Sequence, residues 1–451
     1  MSFVRGAIST HMTTEVWKTA VYAEEYFCRR NVTINAYQKI LYTITGQAVP
    51  DNYSANWKMA SGFFRRFVTQ EVQYLLANGV MWQEDSTGDA LGKGFDTTLQ
   101  EAAKEALKGG VSFGFWNLDH LEVFSVREFV PLYDEENSAL MAGIRFWQID
   151  SSKPLRATLY EIDGYTDYIW REGEDGAVLK EKRPYVVKLR TSEVDGTEIY
   201  DFENYPSFPI VPLWGNESHQ SELVGLREQI DCYDLIKSGF ANDIDDASLI
   251  YWTIQNGGGM DDVDLAKFVE RMHVLKAAVV EDSGATAEAH TMDIPYASRE
   301  ALLDRLSKDL YRDAMALDTS AIAGGAVTAT EIEAAYEPLN SKCDDFEYCV
   351  HKFLDKILVL AGIENENATF TRSKIVNAQE ELQSVVSAAP YLDEEYVTKK
   401  VLHLLGDGDQ AGAVLDAMYE AERERTDFGS NSGETEQAGE SSGEEENAQE
   451  G

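Results

Sequence analysis

The chain has 451 residues, of which 39 are lysine or arginine and 79 aspartate or glutamate, a formal net charge of −40, and 44% of its residues are hydrophobic. That length suggests about three domain-sized units with material for real cores, and that charge repels phosphates over most of the surface, excluding sequence-specific nucleic-acid binding through a basic face. No uncharged stretch approaches the roughly 20 apolar residues of a membrane span, the first residues lack the apolar run of a secretory signal, and the expectation is a protein made in a cytoplasm.

Residues 52–78 carry Trp57, Met59, Phe63, Phe64, Phe67, Val68, Val72, Leu75 and Leu76 at helical spacing and end at Asn78-Gly79, which predicts one helix with a glycine cap. A second helix is predicted over 96–107, stopped by Gly109-Gly110. From 111 to 214 the apolar residues fall in short β-type runs, among them 123–126, 142–149, 156–162, 167–171, 185–189 and 197–202. Turn signals at Asp163-Gly164, Glu174-Asp175-Gly176 and Asp195-Gly196 separate them, so this is an antiparallel β-region.

Near residue 220 the chain changes character, since all eight tryptophans lie at or before Trp252 and seven of the ten prolines before position 213. Leu223, Leu226, Ile230, Tyr233, Ile236, Phe240, Ile244 and Ala247 step by three or four, predicting one amphipathic helix over 221–246. A small α/β insert follows, with a strand over 249–255, a break at Gly257-Gly258-Gly259, a short helix over 261–272, and a hairpin of 274–280 with 287–294. The helix predicted over 295–317 starts on Pro295 and puts Leu303, Leu306, Leu310 and Ala314 on one face. These two helices would each be roughly 35 to 40 Å long.

A loop around Gly324-Gly325 is then predicted over residues 318–327. Thr328 and Glu331 read as the capping box of a helix reaching about Ala361, with Pro338 predicting a kink or break near Glu337. A short strand and helices are expected over 369–410. From Thr426 onward eight carboxylates and no basic residue predict disorder. The four cysteines (Cys28, Cys232, Cys343, Cys349) form no CxxC pair, and buried free thiols are the expectation.

Motifs of catalysis and cofactor binding fail on inspection. Residues 88–94 resemble a phosphate loop but have three residues between the glycines instead of four, and Gly94 where a Mg²⁺-binding hydroxyl belongs. Asp407, Asp409 and Gly412 match an EF-hand start, but Ala411 and Met418 stand where two ligands, one of them the bidentate glutamate, belong. There is no HExxH or GxSxG, and acidic clusters such as Asp243/Asp245/Asp246 are expected by chance in so acidic a chain. No cofactor, metal or enzymatic activity is expected.

The order of parts is the informative signal, carried by residues 56–79 (NWKMASGFFRRFVTQEVQYLLANG), 293–306 (DIPYASREALLDRL), 328–339 after the glycine loop, and 369–377 (TFTRSKIVN). Over about residues 50 to 405 this arrangement resembles the portal, or head-to-tail connector, proteins of tailed bacteriophages, in the type common in siphophages of Gram-positive hosts. Thr328-Ala329 stands where such proteins often have Ser-Gly.

The resemblance implies an α+β portal fold. Its parts would be a mixed α/β wing (1–220), stem helices (221–247 and 295–317) flanking a small α/β clip (248–294), a tunnel loop (318–327), a long kinked helix (328–368), a helical crown (369–425) and a disordered acidic tail (426–451). It also implies a ring, with twelve subunits as the family number, at one capsid vertex of the virion, a conduit for DNA packaging and ejection. Implied partners are double-stranded DNA passing non-specifically, the terminase, head-tail connector proteins, and scaffolding and major capsid proteins, with no membrane.

The implied channel residues are Thr319, Ser320, Ala321, Ile322, Gly324 and Gly325. The second stem helix balances Arg299, Arg305, Lys308 and Arg312 against Glu300, Asp304, Asp309 and Asp313. Two readings of these charges stand side by side: contacts between neighbouring subunits, or intrahelical Asp304/Lys308 and Arg305/Asp309 pairs. Two rival classes also remain, another capsid-associated structural protein such as a minor head protein, and an acidic cytosolic enzyme.

Overall fold

The structure, a computed structural model, describes residues 1–42, 46–50, 56–171, 176–191, 198–247, 251–255, 286–290, 296–322, 329–373, 378–405, 411–415 and 417–419. The chain divides into two compact units, residues 1–373 and 374–451. Helices and sheets are mixed without regular βαβ alternation, an α+β fold as the sequence predicts.

Three helices absent from the sequence-predicted elements come first: α1 (Ser2–His11), α2 (Glu15–Phe27) and α3 (Val32–Ala36). Thr14 and Asn31 cap α2 and α3 by accepting the N–H groups of Trp17 and Ile34. A ribbon of β1 (Ile40–Tyr42) and β2 (Ala48–Pro50) follows, then α4 (Phe63–Leu76), β3 (Val80–Trp82), α5 (Asp85–Leu91) and α6 (Phe95–Gly109). α6 stops as predicted, with Gly110 left-handed at φ +82 where a Cβ would press on the backbone of His219 and Gln220 at 3.0 Å.

The β-region forms two main antiparallel sheets. β4 (Val111–Asn117) sits between β5 (His120–Ser125) and β13 (Ile210–Trp214), while β6 (Phe129–Tyr133), β7 (Leu140–Trp147), β8 (Leu155–Glu161), β9 (Gly164–Trp170) and β10 (Ala177–Arg183) make a five-stranded meander. A separate ribbon pairs β11 (Val186–Thr191) with β12 (Glu198–Glu203). The predicted turn at Asp163-Gly164 closes β8 onto β9, with Glu161 opposite Gly164.

β4 explains why two cores share one sheet. Alternate residues point to opposite faces, so Phe113 and Phe115 join an aromatic cluster with Phe124, Phe129, Tyr160 and Tyr185. Gly114 and Trp116 turn to the helical side, where a Cβ on Gly114 would lie 2.5 Å from the Phe353 ring. Without a side chain at 114 the helix above can settle directly on the strand.

That helix belongs to the second half. After α7 (Arg227–Ala247), β14 (Tyr251–Gln255) pairs with β15 (Thr286–His290), and α8 (Tyr296–Asp313) and the one-turn α9 (Thr319–Ile322) lead to α10 (Ala329–Ala361). α10 carries the predicted stripe: Tyr336, Leu339, Cys343, Phe346, Val350, Phe353, Ile357 and Leu358 are all buried. β16 (Ala368–Phe370) pairs with β3. The second unit contains α11 (Ala378–Ala388) and α12 (Glu394–Leu405).

Several expectations need correction. α4 begins at Phe63 instead of residue 52; among the described residues 56–62 are not helical, and Trp57 and Met59 are exposed. α7 begins at Arg227, because Gly225 adopts φ +84, which interrupts any helix from 221, while Leu223 and Leu226 turn into the core. With 21 and 18 residues the paired helices span about 32 and 27 Å, shorter than predicted. α10 passes through Pro338 as one unbroken element, so the predicted break is absent. All four thiols are free, but only Cys343 is buried; Cys349 is half-buried, and Cys28 and Cys232 are exposed. The predicted strand 274–280, short helix 261–272, Pro295, Gly324, Gly325, Thr328 and the acidic tail lie outside the described residues.

Candidate functional site

The region implicated by the sequence is the helix pair α7/α8 with the segments at either end of it. Gln229 donates to Asp313 at 2.5 Å at one end, and Arg299 forms an ion pair with Asp243 towards the other. In both pairs the residue numbers sum to the same value, so the helices run antiparallel in fixed register. Phe240 meets Tyr296 edge to face at 5.7 Å beside the Arg299 ion pair, and the Arg299 guanidinium lies 5.9 Å from the Phe240 ring.

The predicted charges on α8 divide by role. Arg299 is used across the helix pair, whereas Arg305 and Arg312 both reach Asp309 within their own helix, at 3.6 and 3.3 Å. The Asp304/Lys308 pair does not form, and both side chains are exposed. Exposed pairs of this kind contribute only about 0–1 kcal/mol. Burial is uneven along α8, where Leu310 and Tyr311 at the C-terminal end are enclosed while Leu302 and Tyr296 are exposed, as are Leu235 and Ile244 on α7.

Beside α7 runs a non-helical strap, part of the 52–78 stretch whose spacing predicts a helix. Trp57 N–H bonds Asn242 at 2.6 Å, Met59 N–H bonds Ser238 at 2.9 Å, and Ser61 N–H bonds Asp234 at 2.9 Å. Two residues of extended chain advance about 6.6 Å and four residues of helix about 6.0 Å, so alternate amides of the strap meet successive turns of α7. Asp234, fully buried, also accepts from Asn31 at 2.8 Å, and burial raises its carboxyl above the usual range. The 234/238/242 spacing was present in the sequence, but nothing local named its partner.

Where α8 ends, a buried ionic cluster joins three elements. Lys342 of α10 lies 2.9 Å from Glu71 of α4 and 2.6 Å from Glu222, and donates to the Ala314 carbonyl at 3.2 Å. Glu71 is 1% exposed, and neither of its oxygens gains a well-angled hydrogen bond. Burial pushes its carboxyl up to about 7, with Lys342 pulling the other way and Glu222 adding to the rise. Burial by itself would lower the Lys342 ammonium, but the two carboxylates outweigh it and hold it charged.

Because the folded Glu71 binds its proton more tightly than an unfolded one, the stability of the protonated fold is lost as pH rises from about 4.5 to about 7, a change on the order of 3 kcal/mol. Glu71→Gln is therefore expected to gain on the parent protein by a few degrees of melting temperature between pH 5 and pH 8. A melting difference that stays constant across that range in thermal scans would contradict this origin.

The same α4 face touches both ends of the segment between α8 and α10. The Gln70 side-chain amide pairs with Leu317, donating to its carbonyl and accepting its N–H, each at 3.0 Å. Tyr74 donates to the Asn340 side chain and stacks on Tyr336 at 5.6 Å. Of the implied channel residues, Thr319, Ser320, Ala321 and Ile322 form α9, which Asp318 opens by accepting the Ser320 N–H at 3.0 Å. Gly324 and Gly325 lie outside the described residues. No group of three or more potential metal ligands and no helix long and apolar enough to cross a membrane occurs among the described residues.

The family described as phage portal protein, SPP1 Gp6-like, matches residues 11–404. Among curated proteins, the chain is 24% identical over 399 residues to the portal protein of Bacillus phage SPP1, covering 80% of this chain and 75% of that protein. It is 23% identical over 361 residues to the portal protein of Clostridium phage phiCD119, covering 73% and 77%. The chain belongs to the SPP1 Gp6-like phage portal family, whose members are structural components of the virion.

Proposed function

We propose, from that membership, that the chain assembles with copies of itself into a closed ring at one capsid vertex, through whose axis double-stranded DNA is packaged and later ejected. The observation that carries this reading is the family match, which spans the antiparallel α7/α8 pair and the segments on either side of it. The exposed apolar side chains along that pair are consistent with it, since a lone subunit leaves them in water.

In this reading residues 1–220 are the wing, 221–247 and 295–317 the stem, 248–294 the clip, 318–327 the tunnel loop, 328–368 the long wing helix, 369–425 the crown and 426–451 an acidic tail. The clip docks the terminase during packaging and the head-tail connector proteins afterwards, while scaffolding and major capsid proteins meet the outer parts. Arg305, Lys308 and Arg312 with Asp304 and Asp309 lie on exposed or half-buried positions of α8, where a neighbouring stem can reach them. Arg299 is committed within the subunit. The net charge of −40 supports passage of DNA without adhesion, since an acidic wall offers phosphates no deep binding sites.

Purified protein is expected to sediment as a ring of many subunits, twelve by family likeness, and to show a central hole in negative stain, with no ATP hydrolysis of its own. A monodisperse monomer at micromolar concentration would remove the basis of this proposal.

A further inference from the structure

We propose that one face of α4 is a clamp that fixes both arms of the segment joining α8 to α10, with Gln70, Glu71 and Tyr74 as its positioning residues. The inference rests on the reading of that segment as channel-lining, and it assigns the segment's placement to a helix of the wing.

The geometry is that of a two-sided grip. On the incoming arm, Gln70 satisfies both backbone groups of Leu317, at 3.0 Å each, at the last residues before α9. A side-chain amide that both donates to and accepts from one residue fixes its position and its orientation together. On the outgoing arm, Tyr74 holds Asn340 through its hydroxyl and Tyr336 through its ring, and Glu71 meets Lys342 at 2.9 Å.

The two arms are also tied to each other, because the same Lys342 ammonium donates to the Ala314 carbonyl at 3.2 Å. Tyr74, Leu317, Tyr336, Leu339 and Cys343 pack into one small buried cluster beneath these bonds, separate from the large helical core. Gln70, Glu71 and Tyr74 occupy adjacent and i+4 positions of one helix turn. Rotation or translation of α4 therefore moves both arms as one body.

The test is hydrogen exchange on full-length assembled rings carrying Gln70→Met or Tyr74→Phe, each of which keeps the packing volume and deletes only polar contacts. With ring size and melting temperature unchanged, either substitution is expected to speed amide exchange about tenfold or more in both 316–322 and 329–336, the arms on each side of the segment. Acceleration confined to the arm that the altered residue touches would overturn the clamp, as would unchanged exchange. If Gln70→Met fails to assemble, Tyr74→Phe decides alone by its effect on 316–322, which its hydroxyl does not contact. Loosened arms with normal DNA packaging would support the clamp and refute the channel-lining role, so the two ideas fail separately.

Discussion

Replacing Lys342 by methionine is expected to lower the unfolding free energy by about 3–5 kcal/mol at pH 8, because removing one partner of a buried ionic cluster strands the others. Glu71 and Glu222 would then face each other across a buried space with no cation between them, and the Ala314 carbonyl would lose its donor. The end of α8, α4 and α10 meet at this point, so fewer of the proposed rings are expected as well. Two features separate this from simple loss of packing. The deficit should be smaller at acidic pH, where Glu71 takes up its proton and no longer needs a cation beside it, and the neutral combination Glu71→Gln, Glu222→Gln, Lys342→Met should recover most of the stability. Urea unfolding at pH 5.5 and pH 8 measures both. A deficit equal at the two pH values and not relieved in the triple variant would show that the lysine acts only through its hydrocarbon stem.

On the proposed channel-lining role of residues 318–327, Gly324→Pro with Gly325→Pro is expected to leave ring size unchanged while reducing packaged or retained DNA by orders of magnitude. Proline fixes φ near −65° and removes an N–H, so two in succession withdraw the conformational freedom that a glycine pair supplies. The neighbouring residues Ser320, Ala321, Ala323 and Ala326 are small, and 318–327 contains no lysine or arginine. Such a segment can approach a duplex closely without binding its phosphates. In the competing reading the segment only connects two helices, as most loops of this length do. Complementation of a phage lacking its own copy, scored as filled heads and infectious titre, separates the two, and normal titre from well-formed double-variant rings would favour the connector.

Elements whose signal is local and periodic are legible from the residues alone. α10 was readable because Tyr336 to Leu358 repeats at helical spacing, and a helix with one apolar stripe must bury it. The antiparallel β-region and the glycine stop of α6 were legible on the same grounds, whereas the portal family was legible only as a resemblance in the order of parts. Tertiary structure decided wherever a distant partner outweighs local preference. Residues 56–62 have helix-compatible spacing, yet their amides are taken by Asp234, Ser238 and Asn242, and the strap follows α7 instead of extending α4. α7 starts late because Gly225 turns left-handed and sends Leu223 and Leu226 into the core. The charges on α8 looked alike in sequence, and only the antiparallel register of α7 gave Arg299 a partner that Lys308 lacks. Glu71, Glu222 and Lys342 carry no motif at all. Their meaning comes from burial, which raises the cost of each charge until the three must be held together.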